Sequence, residues 1–261
     1  MKSLALPKTL AATAAAAALV LAAPSAIASA NAGPSAGPHI VGGGSASQSY
    51  SFMVSLQLGG QHYCGASLIS ANWAVTAAHC VEGHTADEYT VRVGSADRAA
   101  GGETGNVSRI VAHPDYNTTN DIALIQLAQP VRAIPIAIAD SAEVGSATRL
   151  LGWGQETPQP GGDNGPDQLK ELDTALVGAG CGNGYDPGTE LCVNSPQGPD
   201  GSNQGACYGD SGGPAITQVN GEWRLIGATS RSGGGSRCAA DPSIYTNVTA
   251  YKEFIQNAMA G

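Results

Sequence analysis

The feature that most restricts this chain is a succession of short apolar stretches rich in β-branched residues, each closed off by glycine or a polar turn. They span residues 52–56, 68–69, 74–76, 89–93, 110–111, 122–127, 150–153, 172–177, 216–219, 225–228 and 244–248. Many short strands punctuated by turn signals mean an all-β barrel or sandwich. The end of the chain departs from this pattern. Tyr251, Phe254, Ile255 and Ala258 fall at helical spacing behind Thr249, a residue type that caps helix N-termini, so a short C-terminal helix is expected. Residues 155–167 and 194–204 carry Pro, Gly, Asn and Asp without periodicity and read as surface loops.

The amino-terminal residues bear on compartment. Met1-Lys2 and Lys8 precede an alanine-rich apolar run over residues 9–23, followed by Pro24 and the small-residue site Ala28-Ser29-Ala30. This is the layout of a secretory signal peptide over residues 1–30. A membrane-spanning helix needs about 18 to 20 apolar residues, and Pro24 interrupts the run before that length. The sequence therefore implies a secreted, extracellular protein with no membrane partner. Six cysteines, Cys64, Cys80, Cys181, Cys192, Cys207 and Cys238, are an even number in an exported chain, which favours three disulfides over free thiols or metal ligands. No two lie at the Cys-x-x-Cys spacing of zinc sites, and composition alone leaves their pairing open.

Twelve basic side chains stand against 21 acidic ones, a formal net charge of −9, and the two lysines of the leader are lost with it. That balance argues against a nucleic-acid partner. Surplus carboxylates also keep an exported protein soluble, and a monomer is expected. The stretch from Ile40 to Gly261 is long enough for one large β domain or two small ones.

Chemistry enters at Gly209-Asp210-Ser211-Gly212-Gly213-Pro214. Glycines on both sides leave the serine hydroxyl uncrowded and let backbone N–H groups point at a reacting carbonyl oxygen. The G-x-S-x-G elbow of α/β-hydrolases has this form, but that fold needs its acid and histidine after the serine. All five histidines, His39, His62, His79, His84 and His113, precede Ser211, so the esterase reading fails on chain order. The order His, Asp, Ser is met instead by Thr76-Ala77-Ala78-His79-Cys80, by Asn120-Asp121-Ile122-Ala123-Leu124 and by Ser211 in its glycine setting.

Each of these segments resembles the matching motif of the trypsin/chymotrypsin-type serine endopeptidases. Further likenesses are Ile40-Val41-Gly42-Gly43 as a mature amino terminus, Cys64-Gly65-Ala66-Ser67-Leu68-Ile69, Gly152-Trp153-Gly154 and Ser243-Ile244-Tyr245. Together they cover the chain from Ile40 to the C-terminal helix, and the alanine-rich leader is similar to that of secreted bacterial members. The resemblance implies two six-stranded antiparallel β-barrels within residues 40–261, divided near residue 145, with the active site between them. His79 and Asp121 would come from the first barrel and Ser211 from the second.

In this resemblance Ser211 is the nucleophile, His79 the general base and acid, and Asp121 the group that orients the imidazole. Backbone N–H groups of Gly209 and Ser211 would form the oxyanion hole. The implied disulfides are Cys64–Cys80, Cys181–Cys192 and Cys207–Cys238. Residues 31–39 would be a short activation propeptide, so the protein would be a zymogen in which the freed amine of Ile40 pairs with Asp210. Protein or peptide substrates and proteinaceous protease inhibitors are the implied partners.

No cofactor and no metal are expected. The acidic loops that bind calcium in some relatives are not evident, since residues 94–108 hold only Asp97 and Glu103. Specificity in this family is read six residues before the nucleophile, where members that cut after Lys or Arg carry aspartate. Here Gly205, with neighbouring Ala206, supplies no counter-charge, and an unpaired buried cation is costly. Ser230, Ser232 and Ser243 would form the pocket walls, two of them in place of glycine. The expected preference is for small or medium apolar residues, with aromatic residues next. Arg231 stands where the family commonly has tryptophan, and His62 and His113 read as structural. The sequons at Asn106, Asn117 and Asn247 are discounted for a bacterial-type chain. A catalytically silent relative that binds a partner through the same fold is the alternative class, and the intact triad motifs argue against it.

Overall fold

A computed structural model describes residues 1–5 and 40–261. Most of the signal-peptide reading and all of the 31–39 propeptide reading lie outside the described residues.

After the two-residue strand β1 (Gly44–Ser45), six strands follow: β2 (Met53–Leu58), β3 (Gln61–Ser70), β4 (Trp73–Thr76), β5 (Tyr89–Val93), β6 (Glu103–Ala112) and β7 (Ala123–Leu127). They close into an antiparallel barrel in the order β2-β3-β4-β7-β6-β5. In β5 the two-residue period of a strand buries Tyr89, Val91 and Val93, while Thr90 and Arg92 are partly exposed. The barrel core is completed by Met53, Val54, Leu56, Leu68, Leu124 and Ile125.

Six further strands build the second half: β8 (Ala147–Gly152), β9 (Lys170–Ala175), β10 (Glu190–Val193), β11 (Pro214–Val219), β12 (Glu222–Ser232) and β13 (Ser243–Asn247). Their order is β9-β8-β11-β12-β13-β10, with β1 added on the outer edge of β9. The two ends of this sheet meet through a Leu176–Val193 bridge, flanked by Val177 N–H to Cys192 O at 2.8 Å and Asn194 N–H to Ala175 O at 3.0 Å. Ile40, Leu150, Leu172, Leu191, Ile226 and Tyr245 pack inside it.

Some elements differ from the sequence expectation. β10 is not among the expected strands, nor is the two-residue β1; β10 offers only the short apolar run Leu191-Cys192-Val193 behind Glu190, whose carboxylate is buried against an arginine in the fold. At the C-terminus a 3-10 turn, Val248–Tyr251, precedes the helix α1 (Lys252–Ala260), and its cap is Asn247, whose side chain accepts from Thr249 N–H. Thr249 therefore sits inside the turn instead of capping it.

The 3-10 turn Ala78–Cys80 after β4 is pinned to β3 by the Cys64–Cys80 disulfide. Cys181–Cys192 and Cys207–Cys238 are the other two bonds, and no cysteine among the described residues is free. The halves are stitched together by the turn between β5 and β6. Ala96 O accepts from Leu169 N–H and from the Trp153 indole at 3.1 Å. Arg98 donates to Asn164 O at 2.8 Å, Gly165 O at 2.9 Å and Trp153 O at 3.3 Å, and pairs with Asp167 at 3.2 Å. Three loop carbonyls thus share one guanidinium. Arg98→Ala should lower stability by about 1–3 kcal/mol and speed amide exchange in residues 163–167, measured by thermal melting and hydrogen–deuterium exchange.

Candidate active site

His79 lies on the turn that the Cys64–Cys80 bond anchors, and two bonds to one carboxylate fix its ring. Its backbone N–H donates to Asp121 Oδ1 at 2.9 Å, and Nδ1 lies 2.8 Å from Asp121 Oδ2. Since a carboxylate only accepts, Nδ1 carries the proton and Nε2 is left as the basic nitrogen. A third donor, Ser230 Oγ from β12, reaches Asp121 Oδ2 at 2.6 Å. Burial pushes the Asp121 carboxyl up, but the hydrogen bonds and charge of His79, with the Ser230 bond, outweigh it and hold it below the ordinary aspartate value.

The backbone around Asp121 is also held from the second half. Thr246 Oγ1 donates to Asp121 O at 2.7 Å. Asn120 adopts a left-handed φ of 53°, tolerable for asparagine, and Tyr251 OH donates to its Oδ1 at 2.8 Å.

Ser211 stands in the tight loop between the Cys207–Cys238 bond and β11. Its carbonyl accepts from Gly65 N–H of the first barrel at 2.8 Å, and Gly213 N–H donates to Asp210 O at 2.9 Å. Gly209 has φ 94°, a conformation open to glycine and strained for other residues. Asp210 is turned inward, where Gly154 N–H donates to Oδ1 at 2.8 Å and Cys207 N–H to Oδ2 at 2.9 Å. A Cβ on Gly152 or Gly154 would collide with this carboxylate, which explains the two glycines around Trp153. Burial pushes the Asp210 carboxyl up to about 6, against the lowering effect of the two N–H bonds.

His79 and Ser211 line one cavity of about 600 Å³ together with Ala206, Ser230, Arg231, Ser232 and Ser243. Among the hydrogen bonds of the described residues none links Ser211 to His79, a contact that commonly tightens only when substrate binds. Gly205 is buried beside the cavity without lining it; a side chain there would press on Ser195 and Ala239. Ile40 is buried in the core of the second half, and Gly205 N–H donates to Val41 O at 2.9 Å. Among the described residues one cluster of metal-type side chains occurs, Cys64, His79 and Cys80, and its two sulfurs are consumed in a disulfide.

His62, read from sequence as structural, is held at both ring nitrogens. Its Nε2 lies 3.0 Å from Gly209 O and its Nδ1 2.9 Å from Ser55 Oγ. A carbonyl only accepts, so Nε2 carries the proton and Nδ1 accepts from the Ser55 hydroxyl. Trp153 packs edge-on against the ring. Burial pushes the imidazole down to about 4, outweighing the Gly209 bond. The hint in sequence is a histidine two residues before Cys64, a setting that many packed histidines share.

The sequence model of the Trypsin family matches residues 40–255. Among curated proteins, "Trypsin epsilon" of Drosophila erecta is 35% identical over 83% of this chain and 86% of its own length. The "Vitellin-degrading protease" of Bombyx mori is 34% identical over 78% of this chain and 79% of its own. Human "Serine protease 56" is 32% identical over 85% of this chain, which spans only 39% of that longer protein.

His62→Phe keeps the ring volume and removes both bonds. It should lower kcat about tenfold, the rate equivalent of one lost hydrogen bond to the Gly209 loop, with a much smaller change in KM. In the parent protein the depressed imidazole contributes stability that is complete above pH about 6.5 and lost as pH falls through about 4. The Phe variant should lack that part of the acid slope in melting experiments.

Proposed function

Because the chain belongs to the trypsin family, and is accordingly a serine endopeptidase acting on peptide bonds, we propose that His79, Asp121 and Ser211 carry its reaction, after export and after a cut before Ile40. The observation that carries this reading is the single Asp121 carboxylate bonded to both the backbone N–H and Nδ1 of His79, on a ring that shares one cavity with Ser211.

In the proposed mechanism His79 Nε2 takes the Ser211 proton as Oγ attacks the substrate carbonyl, and Asp121 stabilises the imidazolium. The tetrahedral oxygen is met by N–H groups of Gly209 and Ser211, each such donor being worth about 3 to 4 kcal/mol. His79 returns the proton to the leaving amine, and water then hydrolyses the acyl-enzyme by the same steps in reverse.

The cavity walls support a preference for small or medium apolar residues, with aromatic residues next. No Asp or Glu stands among the residues lining it, so an entering Lys or Arg would find no counter-ion there. Ser232 and Ser243 narrow the space, and Gly205 lies behind Ala206.

Activation follows from the surroundings of Asp210. Its carboxylate is fully buried with two N–H donors and no cation beside it among the described residues, an arrangement that a nearby amine would stabilise. Ile40 is buried, with a left-handed φ of 42° that is unfavourable for a β-branched residue. A cut between His39 and Ile40 would free that strain and supply the amine. On this reading residues 1–30 are a signal peptide, 31–39 the propeptide and 40–261 the peptidase domain. The start of the family match at Ile40 supports that division. Three disulfides fit an oxidising, extracellular compartment, and no helix among the described residues is long and apolar enough to cross a membrane.

The test is to assay uncut and cut protein side by side on a peptide library, with amino-terminal sequencing. The uncut form should be nearly inactive, and the cut form should cleave after Ala, Val, Leu or an aromatic residue faster than after Lys or Arg. Equal rates for the two forms contradict the zymogen reading, and a clear preference for Arg contradicts the pocket reading. In the uncut chain the raised Asp210 pKa contributes stability that is complete below about pH 4 and lost as pH rises through about 6. Between about pH 3.5 and 7 the stability of Asp210→Asn relative to its parent should therefore improve by on the order of 2–3 kcal/mol. Cutting should abolish that trend.

A further inference from the structure

We propose that the Glu190–Arg231 ion pair is a positioning device that holds the Ser230 hydroxyl against Asp121, and so orients the triad from outside it. The proposal rests on the triad reading above and concerns two residues that reading does not use.

Glu190 comes from β10 and its side chain is 1% exposed; Arg231 comes from β12 and faces the catalytic cavity. They meet as a two-pronged pair, Nη1 to Oε1 at 2.6 Å and Nη2 to Oε2 at 3.0 Å. In a regular strand the side chains of Ser230 and Arg231 would point to opposite faces. The pairing of β12 with β13 slips between Thr229 and Arg231, leaving Ser230 as the extra residue of a bulge. Bulges re-aim side chains, and here Arg231 Nη1 reaches Ser230 Oγ at 3.3 Å.

That contact complements the direction of the serine proton. A hydroxyl has one proton and two lone pairs; the proton points at Asp121 Oδ2, 2.6 Å away, because a carboxylate only accepts, and the Arg231 N–H takes a lone pair of the same oxygen and holds it in place. Nη1 carries two hydrogens: one goes to Glu190 Oε1, and the other is shared between Ser230 Oγ and Thr118 O, which lies 3.2 Å away on the loop that leads into Asp121. The remaining donors go to Asn183 O at 3.3 Å and Gly184 O at 3.4 Å. The guanidinium therefore faces the cavity with its N–H groups already spent on the protein, which favours an internal role over capture of a substrate anion. Arginine suits the position because a planar fork serves Glu190, Ser230 and Thr118 at once, whereas a lysine ammonium is a single point.

The test is a double-mutant cycle read by the pre-steady-state burst with p-nitrophenyl acetate, a substrate too small to depend on the outer groove. Replacing both charges together, E190Q/R231Q, avoids leaving Glu190 buried alone. With Ser230 present, the double replacement should slow burst acylation about 3- to 10-fold, the value of one hydrogen bond. In a Ser230→Ala background it should leave the rate unchanged, because the route to Asp121 is already gone. An unchanged rate with Ser230 present overturns the proposal, as does an equal fall in both backgrounds, which would mark a purely structural pair. Absence of a burst in the cut parent protein would contradict the triad reading itself. Should E190Q/R231Q fail to fold by circular dichroism, R231K keeps the charge opposite Glu190, loses the fork and completes the same cycle.

Discussion

The Asp121 carboxylate is the constraint on which the rest of the molecule turns. It is buried and charged, a state that is costly unless hydrogen bonds replace the lost water. Two donors come from His79 on the first barrel and one from Ser230 on the second, while Thr246 of β13 bonds its carbonyl. Neither barrel alone could satisfy this group. The cost of burying it is met only when the halves are docked, so the interaction that orients the imidazole is also one that registers the two barrels. The stitch through Ala96 and Arg98 holds the same interface on another side.

A second buried acid, Asp210, contrasts with it. Asp121 has an imidazole and a hydroxyl beside it and titrates below the ordinary aspartate value, whereas burial pushes Asp210, bonded among the described residues by backbone N–H groups, up to about 6. Carboxyls driven in opposite directions within one site take different roles. The first is suited to remain an anion through a catalytic cycle. The second is pushed up to about 6, and it sits between Gly209 and Ser211 in sequence. A change in its partner is therefore transmitted directly to the backbone that would face a reacting carbonyl.

Much of this was legible in the sequence because it depends on local chemistry. Ser211 announces itself through the glycines needed for close backbone approach, and the strands through β-branched runs between turns. His79 and Asp121 were singled out by their order along the chain and their neighbours. What escaped depends on contacts between distant segments. His62 is ordinary in sequence and acquires meaning only when Gly209 O arrives from 147 residues away. β10 begins with the charged Glu190 and has only three apolar residues behind it, and the arginine that compensates that charge lies 41 residues on. Asn247 displaced Thr249 as cap because a 3-10 turn precedes the helix, a boundary shift that periodicity does not register. Gly205, aligned by its distance from Ser211, lies behind the cavity wall because the 194–204 loop and Ala239 pack over it.

The central claim, a nucleophile at Ser211 activated through His79, is tested most directly by covalent labelling. Protein cut before Ile40 is treated with a fluorophosphonate and digested, and the adduct is located by mass spectrometry. The account requires one adduct per molecule, carried on Ser211, with labelling slowed by orders of magnitude in His79→Ala. An unlabelled Ser211, or labelling that His79→Ala leaves as fast, would contradict it.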